Sequence, residues 1–396
     1  MNFSRRTDWH RDLNRLTEAL AGRRNLGKPV ADLTVSNPTE CGFQYPAERI
    51  LKAISAPDSL HYSPDPKGLL SAREAITRFY REQNVVVDPS DIFITSGSSE
   101  SYANLFRILC NANDSVLVPA PSYPLFDYLA RISDIRTESY ELSYDHGWHL
   151  DLNSLRNAIT TTTRAIILIN PHNPTGMFLK HGDFAKIQAI AAERDLSLIV
   201  DEVFSAYGTG GQSGHVATTA GTNGCLTFTL NGLSKLCALP QMKLGWIVAG
   251  GPGETVREAA ERLEIVSDTF LSANTPVQSG LEELFRAGEG VRSQIIGRCA
   301  ANREFLALRL AGGSVCSLLE SEGGWNAILK VPATKSEEAW ALELLEREGV
   351  FVYPGYFFDF TSEGFLVVSL LVEPAEFRRS IEILLTCIDK TTSQNL

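Results

Sequence analysis

Basic residues are the first thing this chain has too few of. It carries 36 lysines and arginines against 47 aspartates and glutamates, a formal net charge of −11. So acidic a surface argues against a nucleic-acid partner and against a broad membrane-binding face. Cysteine is sparse as well. Cys41, Cys110, Cys225, Cys237, Cys299, Cys316 and Cys387 form no CxxC pair, and no Cys/His cluster has ligand spacing. Reduced core thiols are therefore expected, without a disulfide framework or a metal site. No apolar run is long enough to cross a bilayer, and "MNFSRRTDWHRDLNRL" has no apolar signal core, so no membrane contact and a cytoplasmic location are expected. Internal repeats and low-complexity linkers are missing too. What is there is 396 residues, 44% hydrophobic and 21% charged: an ordinary globular chain, long enough for about two or three domains. Small-molecule chemistry is the default.

From about residue 70 to 250, amphipathic helices alternate with short apolar runs. In "SAREAITRFYREQ" Ala72, Ala75, Ile76, Phe79 and Tyr80 share one helical face. Strand-like runs follow at 92–95, 116–118, 165–169, 198–200, 226–230 and 246–249, mostly continuous rather than alternating. That texture fits a mainly parallel sheet covered on both faces, an α/β fold. After a helical stretch at 254–267 come strand-like "WNAILKV", "VFVY" and "FLVVSLL" with helices at 336–348 and 374–388, which suggests a smaller α+β domain. The expected organisation is an N-terminal arm over 1–40, a large domain over 41–285 and a small domain over 286–396.

Polar motifs sit just past the ends of successive runs: "SGSSES", "PAPSYP", "NPHNPTG", Asp201 and "NGLSK". In an open α/β sheet those ends line one crevice where ligands bind. A serine-rich turn entering a helix makes a phosphate cradle, with Ser98 and Ser99 at its mouth. A carboxylate ending an apolar strand, as Asp201 does, is costly unless it meets a cation. Lys235 lies inside the otherwise core-like "NGLSKLCALPQMKLGW". Taken singly, these are a helix cap, a salt bridge and a snorkelling lysine. Together with an aromatic residue and an amide-bearing turn they describe pyridoxal phosphate held as a Schiff base.

With "YSPDPKGLLSAREAI", "NPHNPTG", "VDEVF", "GLSKLCALPQMKLGW" and "GVFVYPGYFFDF" read in order, the chain resembles the class I/II aminotransferases, fold type I enzymes of the aspartate aminotransferase superfamily. The resemblance implies a seven-stranded, mainly parallel sheet and a homodimer with shared sites. It implies that Lys235 forms the Schiff base, that Asp201 pairs with the ring nitrogen, that Asn173 bonds the ring oxygen and that Tyr123 stacks on the ring. Ser98, Ser99, Ser234 and Lys243 would hold the phosphate, joined by Tyr62 from a neighbouring subunit. Three positions depart from the pattern. Phe204 stands where a tyrosine usually reaches the ring oxygen, Lys243 replaces an arginine, and Val367 aligns with the arginine that grips the substrate carboxylate. A register slip gives Leu366 or Val368 instead. Ser36 and Asn37 stand on the substrate side in place of a glycine-containing turn, and Arg5 and Arg6 are candidate replacement cations.

The expected activity is ping-pong transfer of an amino group from an amino acid or amine to a 2-oxo acid, with Lys235 moving the proton. A carbon–sulfur β-lyase or a decarboxylase on the same scaffold is the alternative, since both use the same lysine, aspartate and phosphate cup. A transcription regulator would need a DNA-binding module ahead of "DLTVSNPTE". A nicotinamide dehydrogenase would need GxGxxG straight after a strand, which "GTGGQSG" (208–214) does not supply.

Overall fold

The computed structural model describes residues 2–9, 13–210 and 214–394; Gly211, Gln212 and Ser213 of "GTGGQSG" lie outside them. The strands are β1 (Ala31–Asp32), β2 (Ile92–Thr95), β3 (Ser115–Ala120), β4 (Arg136–Tyr144), β5 (Trp148–Leu150), β6 (Thr163–Ile169), β7 (Ser197–Asp201), β8 (Thr227–Gly232), β9 (Gly245–Gly250), β10 (Ser317–Leu318), β11 (Asn326–Lys330), β12 (Val350–Phe351), β13 (Tyr353–Pro354) and β14 (Phe365–Ser369). The large sheet runs in the order β2-β9-β8-β7-β6-β3-β4-β5. Strands β8, β7, β6, β3 and β4 are parallel, whereas β9 is antiparallel to both its neighbours and β5 is antiparallel to β4. The sheet thus has eight strands where seven are expected. The eighth arises because Arg136–Tyr144 runs on into a hairpin that returns as Trp148–Leu150.

Both faces of the sheet's central strands are buried, which is why those strands read as continuous apolar runs. Ala165, Ile167 and Ile169 pack with Tyr102, Leu105 and Phe106 of helix Ser98–Leu109 and with Leu263 of helix Gly253–Phe270. Ile166 and Leu168 point the other way, onto Phe184 and Ile187 of helix His181–Glu193. This is period-two alternation expressed between two layers of helices.

The smaller sheet is antiparallel, β10-β11-β14-β13. Helix Pro374–Gln394 covers it, and its Phe377, Ile381 and Leu384 share a core with Leu366 and Val368. Leu16 and Leu33 are buried in that same core, and β1 pairs in parallel with β12, so the early residues are built into this unit. One long helix, Leu281–Ala311, joins the two regions and runs straight through position 285. Its Leu281, Leu284 and Ala287 pack against the large sheet's side, while Val291, Ile295 and Leu306 enter the small-domain core.

Candidate active site

Register brings the motif loops to one edge of the large sheet. Ile169 lies opposite Asp201, Asp201 opposite Leu230, Gly232 opposite Gly245, and Gly245 opposite Thr95. The backbones are close there. A Cβ on Gly245 would stand 2.9 Å from Gly97 Cα, and one on Gly232 would stand 2.9 Å from the Leu244 oxygen. Only glycine lets the turn before helix Ser98–Leu109 sit flush against the β8–β9 pair. Gly97 itself has φ 132°, a conformation L side chains rarely adopt, and it delivers Ser98 and Ser99 to the first helical turn with their amides free for an anion.

Lys235 lies in the short helix Leu233–Leu236 after β8. Its amine sits 4.9 Å from the centre of the Trp325 ring and 5.6 Å from that of Phe204. Burial lowers the proton affinity of Lys235, and the charge of Asp201 opposes that shift. The backbone here is pinned from behind: the Tyr207 hydroxyl donates to the Lys235 carbonyl at 2.6 Å, and Arg292 donates to the Leu236 carbonyl at 3.3 Å. Phe204, Tyr207 and Trp325 meet edge to face, with centroids 5.0 to 6.3 Å apart.

Asp201 ends β7 with its carboxyl buried. Oδ1 accepts from the Val203 amide at 3.1 Å and Oδ2 from the Tyr102 hydroxyl at 3.1 Å. Burial pushes this carboxyl up to about 6, against the pull of those two bonds and of Lys235. The next residue, Glu202, is buried as well, and burial pushes it up to about 7. It is held by Thr218 Oγ1 at 2.6 Å, the Thr219 amide at 2.6 Å and Thr219 Oγ1 at 2.9 Å. A site with a buried carboxyl and a buried amine at adjacent strand ends can hold a cationic nitrogen at one and an electrophilic carbon at the other.

Asn173 follows β6, and its Oδ1 accepts from Asn326 Nδ2 of β11 at 2.7 Å. Tyr123 is half exposed and lines a hollow of about 600 Å³ with Trp9, Ser122 and Phe126. Ser234 is partly buried, and Lys243 is exposed in a left-handed backbone conformation. Tyr62 is 70% exposed and lines a different, shallow hollow with Asp65, Ser272 and Gln278. Ser36 is exposed, and Asn37 Oδ1 caps a 3-10 turn by accepting from the Thr39 amide at 3.1 Å and the Thr39 hydroxyl at 2.8 Å.

Val367 is 1% exposed in β14, between Ile328 and Tyr353. Leu366 and Val368 turn to the other face, into the core with Leu16 and Leu33. Every register of this strand is therefore apolar. Arg6 does not serve as the replacement cation, because its guanidinium is paired with Asp134, just past helix Phe126–Ile132; Arg5 is exposed. Sequence reasoning missed Tyr102, Tyr207, Trp325 and Asn326. A weak signal existed for Tyr102, which falls four residues after Ser98 and so on the same helical face.

The smaller sheet and its loops meet the large sheet's loops at this edge. The Ser122 amide donates to the Phe358 carbonyl at 2.7 Å, the Phe178 amide to Glu322 Oε2 at 2.8 Å, and Gly208 bridges Gly323. This carries Trp325 and Asn326 of the small domain onto Lys235 and Asn173.

The family model for class I and II aminotransferases matches residues 28–384. A glutamate-pyruvate aminotransferase of Escherichia coli K12 is 30% identical over 355 residues, 87% of each chain. An alanine aminotransferase of Mycobacterium tuberculosis is 26% identical over 365 residues, 90% of this chain and 85% of that one. Among solved structures, an aminotransferase from Escherichia coli superposes with TM-score 0.85 at 26% identity over 98% of both chains. The alanine aminotransferase of Pyrococcus furiosus has the same fold, with TM-score 0.88 at 23% identity over 98% of this chain and 100% of that one. With a shared fold and a family match over nearly its whole length, the chain belongs to the class I and II aminotransferases.

Proposed function

We propose that this aminotransferase works with pyridoxal phosphate bound through Lys235, moving an amino group from an amino acid or amine to a 2-oxo acid in ping-pong fashion. The observation that carries the reading is the pairing of a buried amine, Lys235, with a buried carboxyl, Asp201, at neighbouring strand ends. Asp201 has no ion-pair partner among the described residues, and a protonated ring nitrogen supplies the cation its burial calls for. Asn173 keeps its Nδ2 free of partners among the described residues, which suits a ring oxygen. The residues fit the cofactor.

When bound, the cofactor supplies an electrophilic carbon and a ring that accepts electrons. Lys235 Nζ, whose proton affinity burial lowers, takes the proton from the amine-bearing carbon of the substrate and returns it during turnover. The carboxylate of Asp201 holds the ring nitrogen in its protonated form, with Tyr102 fixing Oδ2. Ser98, Ser99, Ser234 and Lys243 bind the phosphate, and Tyr123 covers the ring face. Ser36 and Asn37 would border the substrate; Val367, buried in its apolar strand, offers the carboxylate no ion pair. That feature favours one second reading, a β-lyase or decarboxylase, because orientation of the substrate decides which bond breaks. A homodimer accounts for the exposure of Tyr62 together with Leu60 and Phe270, and Tyr62 would reach the partner's phosphate. No described helix is long and apolar enough to cross a membrane; a cytoplasmic location belongs to the same proposal.

The test is a half-reaction screen. The protein is purified with pyridoxal phosphate, single amines and amino acids are added, and cofactor absorbance and the masses of cofactor and product are followed. Conversion of the cofactor to its amine form supports transamination. Pyruvate with thiol, or carbon dioxide, released while the cofactor stays unchanged, would establish the second reading instead.

A further inference from the structure

Asn173 and Asn326 come from different domains and 153 positions apart in sequence, yet their side chains meet at 2.7 Å. Asn326 is the first residue of β11, opposite Ser369 of β14. Arg303 of the long helix donates to its main-chain carbonyl at 3.2 Å, so its position is set from behind. The residue before it, Trp325, lies against the Lys235 amine.

A primary amide has one accepting end and one donating end of nearly the same shape. An ionised ring oxygen only accepts, so it attracts the Nδ2 end of Asn173 and is repelled by the Oδ1 end. Alone, Asn173 could turn either end to it. With Asn326 donating to Oδ1, the Nδ2 end is left facing the cofactor. Phe204 brings no hydroxyl to the same oxygen, so the orientation of this one amide carries more weight here.

We propose that Asn326 is a positioning residue: it fixes the amide orientation of Asn173 and thereby lowers the proton affinity of the lysine–cofactor linkage. This rests on the reading that Asn173 meets the ring oxygen. A donor at that oxygen draws its negative charge away from the adjacent linkage nitrogen, which then binds its proton less tightly.

The experiment is a pH titration of cofactor absorbance in the full-length protein loaded with pyridoxal phosphate, together with cofactor affinity. Asn173→Ala is expected to raise the absorbance midpoint by about one to two pH units, the size of a hydrogen bond to a charged acceptor. Asn326→Ala should raise it by about half a unit. Asn326→Asp, which can only accept, should recruit the Asn173 Nδ2 and raise the midpoint by about one unit or more. Both changes are repeated in the Asn173→Ala background, where the Ala change should have no effect and the Asp change should keep only the effect of its charge. Equal shifts in the two backgrounds would overturn the proposal, since Asn326 would then act without Asn173. A midpoint unmoved by Asn173→Ala, in protein that binds the cofactor, would instead overturn the reading beneath it. If Asn326→Asp fails to fold, the Asn326→Ala pair decides alone.

Discussion

Asp201 should make the cofactor-free protein weaker as pH rises, and the size of the effect follows from its surroundings. An ordinary aspartate titrates near 3.8, whereas burial raises Asp201 to about 6 despite the Val203 amide, the Tyr102 hydroxyl and Lys235. Between those two values the folded protein keeps a proton that the unfolded chain has lost. Stability therefore falls as pH rises through that window and levels off above it. Below about 4 both states are protonated and the full contribution is present. Over two pH units the loss is about 3 kcal/mol, of which about 2 kcal/mol lies above pH 4.5. Melting entropy of about 2 cal/mol/K per residue turns that into a Tm change of about 2 °C for a chain of this length. The assay compares thermal unfolding of wild type and Asp201→Asn at pH 4.5 and 7.5 without cofactor. The wild type should lose about 2 °C more than the variant across that interval. Differencing removes constant costs of the new amide, and Glu202, whose shift has the same sign and comes mainly from burial, cancels except for the smaller part that the Asp201 charge adds. Saturating pyridoxal phosphate should abolish the difference in slope, because the ring nitrogen then compensates the buried charge. Parallel pH curves for the two cofactor-free proteins would refute the idea that Asp201 is held as an unpaired buried acid.

Tyr102→Phe removes one donor from Asp201 Oδ2, so cofactor affinity measured by fluorescence titration should fall about tenfold or more while the fold is kept. Lys235→Ala should still bind pyridoxal phosphate without linking to it, leaving the free-aldehyde absorbance and no detectable transamination. Phe204→Tyr restores a donor near the ring oxygen in a pocket already lined by Trp325 and Tyr207, and should lower the absorbance midpoint in a pH titration. Gly176→Ala should give folded protein with kcat down by at least tenfold. Gly176 has φ 71°, and its new Cβ would lie 2.0 Å from Ser321 Oγ and 2.2 Å from the Gly323 carbonyl, so the small domain could not come fully down; stopped-flow and circular dichroism together check this.

The strand ends that gather the candidate site were legible because each motif follows a buried strand, and a buried parallel strand announces itself as a short apolar run. Strand β4 was not legible for the opposite reason. "RTESYELSY" lies near the sheet's edge with much of its length exposed, so its side chains are largely polar and periodicity has little to grip. Strand β5 then escapes with it. Asn326 was unreadable as a functional residue because its meaning lies in a contact with Asn173 that only domain packing creates. Tyr102 sat in plain view on the helix after the serine-rich turn, but nothing local says that this helix passes the end of β7. The helix ending at Glu348 was read as one piece; it changes from α to π geometry after Glu343 before Gly349 turns the chain at φ 74°.

The division of labour between the domains follows from electrostatics. The groups that would meet the cofactor's charges (Asp201, Lys235, Lys243 and the amides at Ser98) all stand next to strand ends of the one large sheet, whose ladders set their separations. The small domain brings Trp325, Asn326 and the apolar strand at Val367, none of them charged. Its contacts with the large sheet's loops include main-chain ones, Ser122 to Phe358 and Gly208 to Gly323, the Asn173–Asn326 amide pair, and the Glu322 carboxylate, which accepts from the Phe178 amide and pairs with Lys180. With the cofactor bound as proposed, these neutral groups would add no charge beside Lys235 and would keep water from it, which would strengthen the attraction between Asp201 and a cationic ring nitrogen, while Asn326 would orient the one amide whose two ends have opposite effects on the linkage.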